Sequence, residues 1–112
     1  MAYHDHINLS PPRIVCAANR LVIKDSEGQE QEIIVAGARH HDGVMNPVLK
    51  KLYALGYEVP DGRKCHQGFI DQHGRFYDRH QAWVIAQDNN QIVRRCGGDG
   101  PDGMGLNSEN LY

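Results

Sequence analysis

The stretch GFIDQHGRFYDRHQA, residues 68–82, decides the fold because its pattern changes from strand to helix within fifteen residues. Gln72–Gly74 is a turn signal between two short apolar segments, which predicts a β-hairpin. Asp78 and Gln81 then fit a capping box, with an aspartate at the N-cap and a glutamine three positions later. The stretch therefore predicts strand, turn, strand and helix in immediate succession.

Apolar residues at the end of this stretch and just beyond it predict one buried helical face. The face consists of Ala82, Ile85 and Ala86, with Trp83 or Val84 widening it. Beyond the helix, residues 89–96 (NNQIVRRC) indicate a further strand. Residues 97–105 (GGDGPDGMG) predict a mobile loop, because five of the nine are glycine.

The N-terminal part of the chain predicts a second hairpin. Residues 1–12 are polar and end in two prolines, which predicts a loose arm. Residues 13–25 (RIVCAANRLVIKD) and 31–40 (QEIIVAGARH) are rich in β-branched residues. They flank a turn signal around Asp25 to Gly28, so they are expected to pair as two strands.

End signals predict a helix between the two hairpins. Asn46 before Pro47 is a favourable helix start, and an earlier start near Asp42 is the alternative. Gly56 is the residue expected just after the helix C-terminus. The predicted order is ββαββαβ, an α+β fold with a small mixed or antiparallel sheet and two helices.

The length of 112 residues predicts a single domain spanning 1–112. A domain of this size supports one modest core and leaves little room for a deep pocket within one subunit. A ligand site is therefore more easily built between subunits. Three widely spaced cysteines, no apolar N-terminal segment and no membrane-length apolar run predict a cytoplasmic protein without a membrane span.

Charge is unevenly distributed along the chain. The formal net charge of -2 argues against binding to a DNA or RNA polymer through bulk positive charge. Residues 62–95 nevertheless carry six Lys and Arg residues against three Asp, a local net charge of +3. A basic patch on a near-neutral protein suits a small anion better than a long polyanion.

Phosphate-binding and base-stacking residue types are concentrated in residues 68–82. Phe69 and Phe76 are interleaved with Arg75 and Arg79. Guanidinium groups bind phosphates in bidentate fashion, and aromatic rings stack on nucleobases. The competing interpretation places each phenylalanine in the core and leaves the arginines solvated, and residue chemistry alone favours it for either ring taken singly.

Histidines raise the alternative of a metal centre. His40, His41 and Asp42, at the exit of the second predicted strand, are the residues of a hypothetical metal-dependent hydrolase or nuclease. Neither CxxC knuckles nor helical histidine pairs of the zinc type occur, and the carboxylates are scattered. No nucleophile has a base nearby. The sequence therefore predicts no enzyme, no metal and no cofactor.

Four fragments follow one another in a pattern found in a family of small phage proteins. They are CAANRLVI (16–23), AGARHHD (36–42), QGFIDQHGRFYDRHQAWVIAQDNNQI (67–92) and NSENLY (107–112). That family has C-A-A in its first strand, G-x-R-H-x-D after its second, and S-E-D/N-L-Y/W at its end. In these motifs the chain resembles the first-type Thoeris anti-defence proteins and their phage relatives, from Cys16 to Tyr112.

The resemblance implies a non-catalytic protein that binds cyclic ADP-ribose isomer signals of bacterial Thoeris defence and sequesters them in the host bacterial cytoplasm. It also implies a homodimer with the ligand at its interface. Some relatives form hexamers, built as trimers of dimers, that hold cyclic oligonucleotide signals at separate sites. A phage structural or interaction module is the third alternative, beside this one and the hydrolase.

The residues that match the family motifs are candidates for specific ligand contacts. Phe69 and Phe76 are candidates for the base, Arg75, Arg79 and Arg95 for the phosphates, Asp78 for a ribose hydroxyl, and Arg39, His40 and Asp42 for completing the site. For Asp78, a role as helix cap competes with a role in ligand binding.

Overall fold

A computed structural model describes residues 10–40, 45–60 and 65–112. Within them, an antiparallel sheet has the order β2-β1-β3-β4. The strands are β1 (Ile14–Lys24), β2 (Glu30–Gly37), β3 (His66–Asp71) and β4 (Phe76–Asp78), and the helices are α1 (Met45–Ala54) and α2 (Arg79–Asp88). The predicted α+β fold with an antiparallel sheet and two helices is confirmed.

One face of the sheet carries the core. Side chains alternate along β1, so Ala17, Leu21 and Ile23 point to the face on which the helices pack. One core cluster joins Ala17 to α2, and a second joins Leu21 and Ile23 to α1 through Met45. Arg20, between these buried positions, belongs to the opposite face.

The hairpin of β3 and β4 is organised by one buried carboxylate, that of Asp71. Its Oδ1 accepts from the backbone N–H groups of His73 and Arg75 at 2.8 and 2.9 Å. Its Oδ2 accepts from the Tyr77 hydroxyl at 2.8 Å. Gly74 has φ +80°, the left-handed conformation that the turn requires and that glycine adopts without strain. The turn predicted at Gln72–Gly74 is therefore confirmed.

The capping box at the start of α2 is formed as predicted. Asp78 Oδ1 accepts from the Gln81 backbone N–H at 2.8 Å, and Gln81 Oε1 accepts from the Asp78 backbone N–H at 3.0 Å. The buried face of the helix consists of Ala82, Trp83 and Ala86. Trp83 therefore widens it, because Val84 is exposed.

The end of α1 also follows its sequence signal. Gly56 has φ +96° and donates to the Tyr53 carbonyl at 3.0 Å, and Tyr57 donates to the Leu52 carbonyl at 3.1 Å. This pair of bonds is a Schellman motif. Asn46 and its neighbouring proline lie in the first turn, since α1 includes Met45. The alternative start near Asp42 and most of the predicted N-terminal arm lie outside the described residues.

The strand predicted within residues 89–96 is not formed, which corrects the seventh element of the predicted order. The backbone N–H groups of Val93 and Arg94 donate to the Asn110 carbonyl at 2.7 and 3.4 Å. These donors are satisfied by the C-terminal turn Ser108–Asn110 and not by a neighbouring strand. The residues with the strand pattern therefore have a hydrogen-bond partner that lies beyond the glycine-rich segment.

The glycine-rich segment 97–105 is closed by hydrogen bonds, where the sequence predicts a mobile loop. Gly100 and Gly105 exchange two backbone hydrogen bonds of 3.0 Å, and Met104 donates to the Gly98 carbonyl at 2.7 Å. The Asp99 carboxylate accepts from the Cys96 backbone N–H at 2.9 Å. Glycine here permits the positive φ angles of a tight turn, as at Gly105 with φ +82°.

Candidate functional site

A surface cleft lies where β3 begins, α2 begins and the glycine-rich segment returns to the sheet. It has a volume of about 390 Å³ and is open to solvent. Its lining residues are His66, Gln67, Asp78, Arg79, His80, Gly103 and Met104. Three chain segments that are distant in sequence therefore build one concave surface, which we call the Arg79 cleft.

The Arg79 guanidinium holds the base of this cleft together. Its Nη1 donates to the Leu106 carbonyl at 2.8 Å and to Asn107 Oδ1 at 2.9 Å. Its Nη2 donates to Gln67 Oε1 at 2.6 Å. Burial lowers the pKa of Arg79 from its ordinary value, but an arginine remains protonated at neutral pH. All three acceptors are neutral, so these bonds leave the positive charge uncompensated.

Asp78 and His80 form the rim of the cleft. Asp78 Oδ1 caps α2, and within the described part of the chain Oδ2 has no hydrogen-bond partner. The capping role predicted as an alternative is therefore real, and it occupies one of the two carboxylate oxygens. His80 Nε2 donates to the Gly103 carbonyl at 2.9 Å, which ties the glycine-rich segment to α2.

Next to the cleft, three side chains on the face of the sheet opposite the core form a second feature, the Phe76 ledge: Arg20, His66 and Phe76. The Arg20 guanidinium lies over the Phe76 ring, 4.9 Å from its centroid. The His66 ring meets Phe76 edge to face, with centroids 5.2 Å apart and planes at 61°. Arg20 Nη2 donates to His66 Nδ1 at 2.8 Å. His66 belongs to both features, so the ledge and the cleft are continuous.

The structure thus brings together three of the predicted site residues. Phe76 is half-buried on the ledge, and Asp78 and Arg79 line the adjoining cleft. Phe69 is a correction: it is 0% exposed within the core cluster that includes Trp83, so its ring cannot stack on a ligand in this structure. The competing interpretation, a core role, is correct for this residue.

Arg75 and Arg95 lie elsewhere and already have carboxylate partners. Arg75 Nε is 3.3 Å from Asp71 Oδ2 at the hairpin turn. Arg95 donates twice to Asp99, at 2.9 and 2.7 Å, and its guanidinium lies 5.0 Å above the Trp83 ring. The hydrogen bonds from Arg95 hold the pKa of Asp99 well below its usual range. Arg95 lines a separate cleft with Trp83, so it does not join Arg79.

The structure describes two of the three site residues predicted just after the second strand, Arg39 and His40. The Arg39 guanidinium lies 5.6 Å from the centroid of the C-terminal Tyr112 ring. His40 Nε2 donates to the Gly68 carbonyl at 2.8 Å, so it reaches the same strand that carries His66. Asp42 lies outside the described residues.

Sequence reasoning missed Arg20, Gln67, His66 and His80 as lining residues. The sequence does contain a signal for Arg20, because this residue interrupts the apolar run of β1. Side chains alternate along a strand, so Arg20 points to the face opposite that of its neighbour Leu21. Its contact with His66 needs the pairing of β1 with β3, in which these two residues stand opposite each other. That pairing is not visible in either strand alone.

The described residues form neither a metal-binding cluster nor a membrane-spanning helix. Across residues 10–40, 45–60 and 65–112, no group of three or more His, Cys, Asp or Glu side chains is arranged to hold a metal ion. His41 and Asp42, two of the three residues of the hydrolase hypothesis, are outside these ranges. Neither described helix has the length and apolar character needed to cross a bilayer.

The fold and the site define a small α+β protein with an open, arginine-containing cleft beside an aromatic ledge. The family model described as phage T4 y16D protein matches residues 13–112, and the chain belongs to that family. It is therefore a phage protein. No curated protein and no solved structure matches the chain.

Proposed function

We propose that this phage protein binds a cyclic nucleotide signal, either a cyclic ADP-ribose isomer or a cyclic oligonucleotide, and sequesters it uncleaved. The infected bacterium would then lose the signal that activates its defence effector. The observation that carries the proposal is the Arg79 guanidinium, half-buried in an open cleft and hydrogen-bonded to neutral oxygens. The resemblance to the Thoeris anti-defence proteins supplies the class of ligand.

The charge of Arg79 supports an anionic ligand group. A guanidinium has five N–H donors, and three are committed to Leu106, Asn107 and Gln67. The other two have no hydrogen-bond partner among the described residues, and Arg79 lines the cleft. Phosphate oxygens accept strong charge-assisted bonds from such a group. The N-terminus of α2 adds a positive partial charge that offsets the Asp78 carboxylate.

The Phe76 ledge supports a nucleobase next to that phosphate. A half-buried ring carrying a guanidinium on one side offers stacking and cation–π surface, which a flat purine also uses. Asp78 lines the cleft, and its second oxygen, which does not cap α2, would accept from a ribose hydroxyl of the ligand. The ledge, the rim and the cleft thus present groups for a base, a sugar and a phosphate in neighbouring positions.

The openness of the site supports a homodimer. Small-molecule sites enclose roughly 70–90% of their ligand, and a surface cleft within one subunit leaves more of it in water. A second copy placed across the cleft would supply the missing wall. Sequestration needs affinity and abundance but no chemical step. At nanomolar signal levels a useful Kd corresponds to about -12 kcal/mol.

Purified protein incubated with cyclic ADP-ribose isomers and with cyclic di- and trinucleotides is expected to deplete at least one of them from solution. After filtration, heating the retained protein should release that compound with its mass unchanged. Arg79→Lys, which keeps the charge but loses the planar fork, is expected to weaken binding by about 10- to 100-fold. Phe76→Ala is expected to weaken it by about tenfold. Isothermal titration with the identified compound measures both losses.

Arg94→Ala is the matched control, because Arg94 is exposed and lines neither the cleft nor the ledge. Thermal melting of each variant separates weaker binding from loss of fold, which matters for Arg79 because it also anchors Leu106. Release of a cleaved product would contradict sequestration and would support the alternative hypothesis of a hydrolase that uses His40 and its neighbours. If every compound stays in the filtrate unchanged, the proposed function is wrong.

A further inference from the structure

The hydrogen bond between Arg20 and His66 restricts the protonation state of the histidine. Arg20 Nη2 lies 2.8 Å from His66 Nδ1. A guanidinium has only N–H donors and no acceptor, so His66 Nδ1 must accept this bond. An imidazole with an unprotonated Nδ1 is neutral and carries its proton on Nε2. A doubly protonated ring would direct a second N–H group at the guanidinium.

Both partners are held in this orientation by the sheet and by Phe76. Arg20 of β1 and His66 of β3 stand opposite each other in the antiparallel register. Directly opposed side chains in such a pair lie within contact distance. The Phe76 ring contacts the Arg20 guanidinium at 4.9 Å and the His66 ring at 5.2 Å. The His66 ring is therefore in contact with both the Arg20 guanidinium and the Phe76 ring.

His66 lies where a ligand would meet it. The residue is exposed and lines the Arg79 cleft on one side. On its other side it lines a depression of about 290 Å³, together with Arg20, Glu32 and Pro60. His66 is therefore a shared wall between two concavities, and Nε2–H is the nitrogen that Arg20 leaves uncommitted.

We propose that Arg20 is a positioning residue, which holds His66 as a neutral Nε2–H donor to the acceptor edge of a purine bound on the Phe76 ledge. This inference rests on the proposed function and specifies how the same site recognises the base. A neutral donor suits a ring nitrogen or carbonyl oxygen of a base, whereas the charged Arg79 suits the phosphate. Arg20 acts through His66 and not by contacting the phosphate.

The tautomer is measured on the unliganded protein by long-range ¹H–¹⁵N NMR of the histidine side chains at pH 7.5. The wild type is expected to show His66 with its proton on Nε2. Arg20→Met, which keeps the length of the side chain but removes the donor, is expected to show a mixture of tautomers. Arg20→Lys should restore most of the wild-type signal, because an ammonium group also donates. Arg94→Met is the matched control for loss of an exposed arginine.

The wild type and the same three variants are then titrated with cyclic ADP-ribose. Arg20→Met is expected to lower its affinity by about tenfold, with Arg20→Lys nearer to the wild type and Arg94→Met unchanged. A wild-type His66 protonated on Nδ1, or a tautomer unaffected by Arg20→Met, would overturn the inference. So would an altered tautomer without any loss of affinity. If the wild-type protein binds none of the signals tested above, the proposed function is wrong, and so is the ligand role of His66. The NMR result would still decide whether Arg20 sets the tautomer of His66.

Discussion

Replacing Gly68 with alanine is expected to destabilise the protein by about 3 kcal/mol. A Cβ atom at this position would overlap the Tyr77 backbone carbonyl oxygen and would lie 2.5 Å from the Phe76 ring. The ring could turn away, but the carbonyl belongs to β4, the strand paired with β3 at this point. The strain therefore falls on the backbone of the hairpin that decides the fold. Urea denaturation followed by circular dichroism measures the loss.

Gly97→Ala is the control for this substitution. A Cβ atom at Gly97 would meet no atom within 4 Å, so only the general effect of replacing a glycine remains. Its free energy of unfolding is expected to lie within about 1 kcal/mol of the wild type. Equal stabilities for the Gly68 and Gly97 variants would contradict the close approach of the Tyr77 carbonyl of β4 to Gly68. Gly68→Ala should also weaken ligand binding, because it displaces Phe76 from the ledge.

Removing the buried carboxylate of Asp71 is the second change with a large expected effect. Asp71→Ala leaves the backbone N–H groups of His73 and Arg75 and the Tyr77 hydroxyl without their acceptor. We expect a loss of about 3 kcal/mol, since each unsatisfied polar group carries a desolvation cost. Tyr77→Phe removes one of these bonds and is expected to cost about 1 kcal/mol. Asp102→Ala, at an exposed position of the glycine-rich segment, is the control.

Stability is also expected to depend on pH through Asp71. Burial opposes ionisation of this carboxyl, but bonds from the Arg75 backbone, the Tyr77 hydroxyl and the His73 backbone together hold its pKa below the ordinary 3.8. The unfolded chain therefore takes up the proton first as the pH falls. The stabilisation is fully present above pH 3.8 and is lost as the pH falls below it towards the folded pKa.

Urea midpoints measured between pH 7 and pH 2.5 test this dependence. The wild type should lose stability in the acid range more steeply than Asp71→Asn, which has no carboxyl to protonate at that position. Parallel profiles for the two proteins would mean that other carboxyl groups account for the acid sensitivity. The Asp102 variant should follow the wild type, because it retains Asp71 and its partners.

Prediction from sequence succeeded where the signal and its result lie close together in the chain. The capping box joins Asp78 to Gln81, and the end of α1 depends on Gly56 and the four residues before it. Such interactions form within one turn of backbone, so residue type and spacing suffice to predict them. The strand predicted before Cys96 failed because its hydrogen-bond partner is Asn110, a residue that follows the glycine-rich segment.

The candidate site was predictable only in part for the same reason. Phe69 and Phe76 look equivalent in the sequence, but the hairpin register pairs Phe69 with Tyr77 and Ile70 with Phe76. The two phenylalanines therefore point to opposite faces, and a shift of β4 by one residue would put both on the same face. Packing of α2 then buries the face that carries Phe69 and leaves Phe76 half-exposed.

The sequence by itself thus determined the α+β class, the two hairpins, the two helices and the chemistry concentrated in residues 68–82. Only the tertiary structure decided which of those side chains meet. Strand order placed Arg20 opposite His66, and the return of the chain at Leu106 enclosed the Arg79 guanidinium. These contacts join residues far apart in sequence, and their formation depends on the packing of the whole core and not on any local pattern.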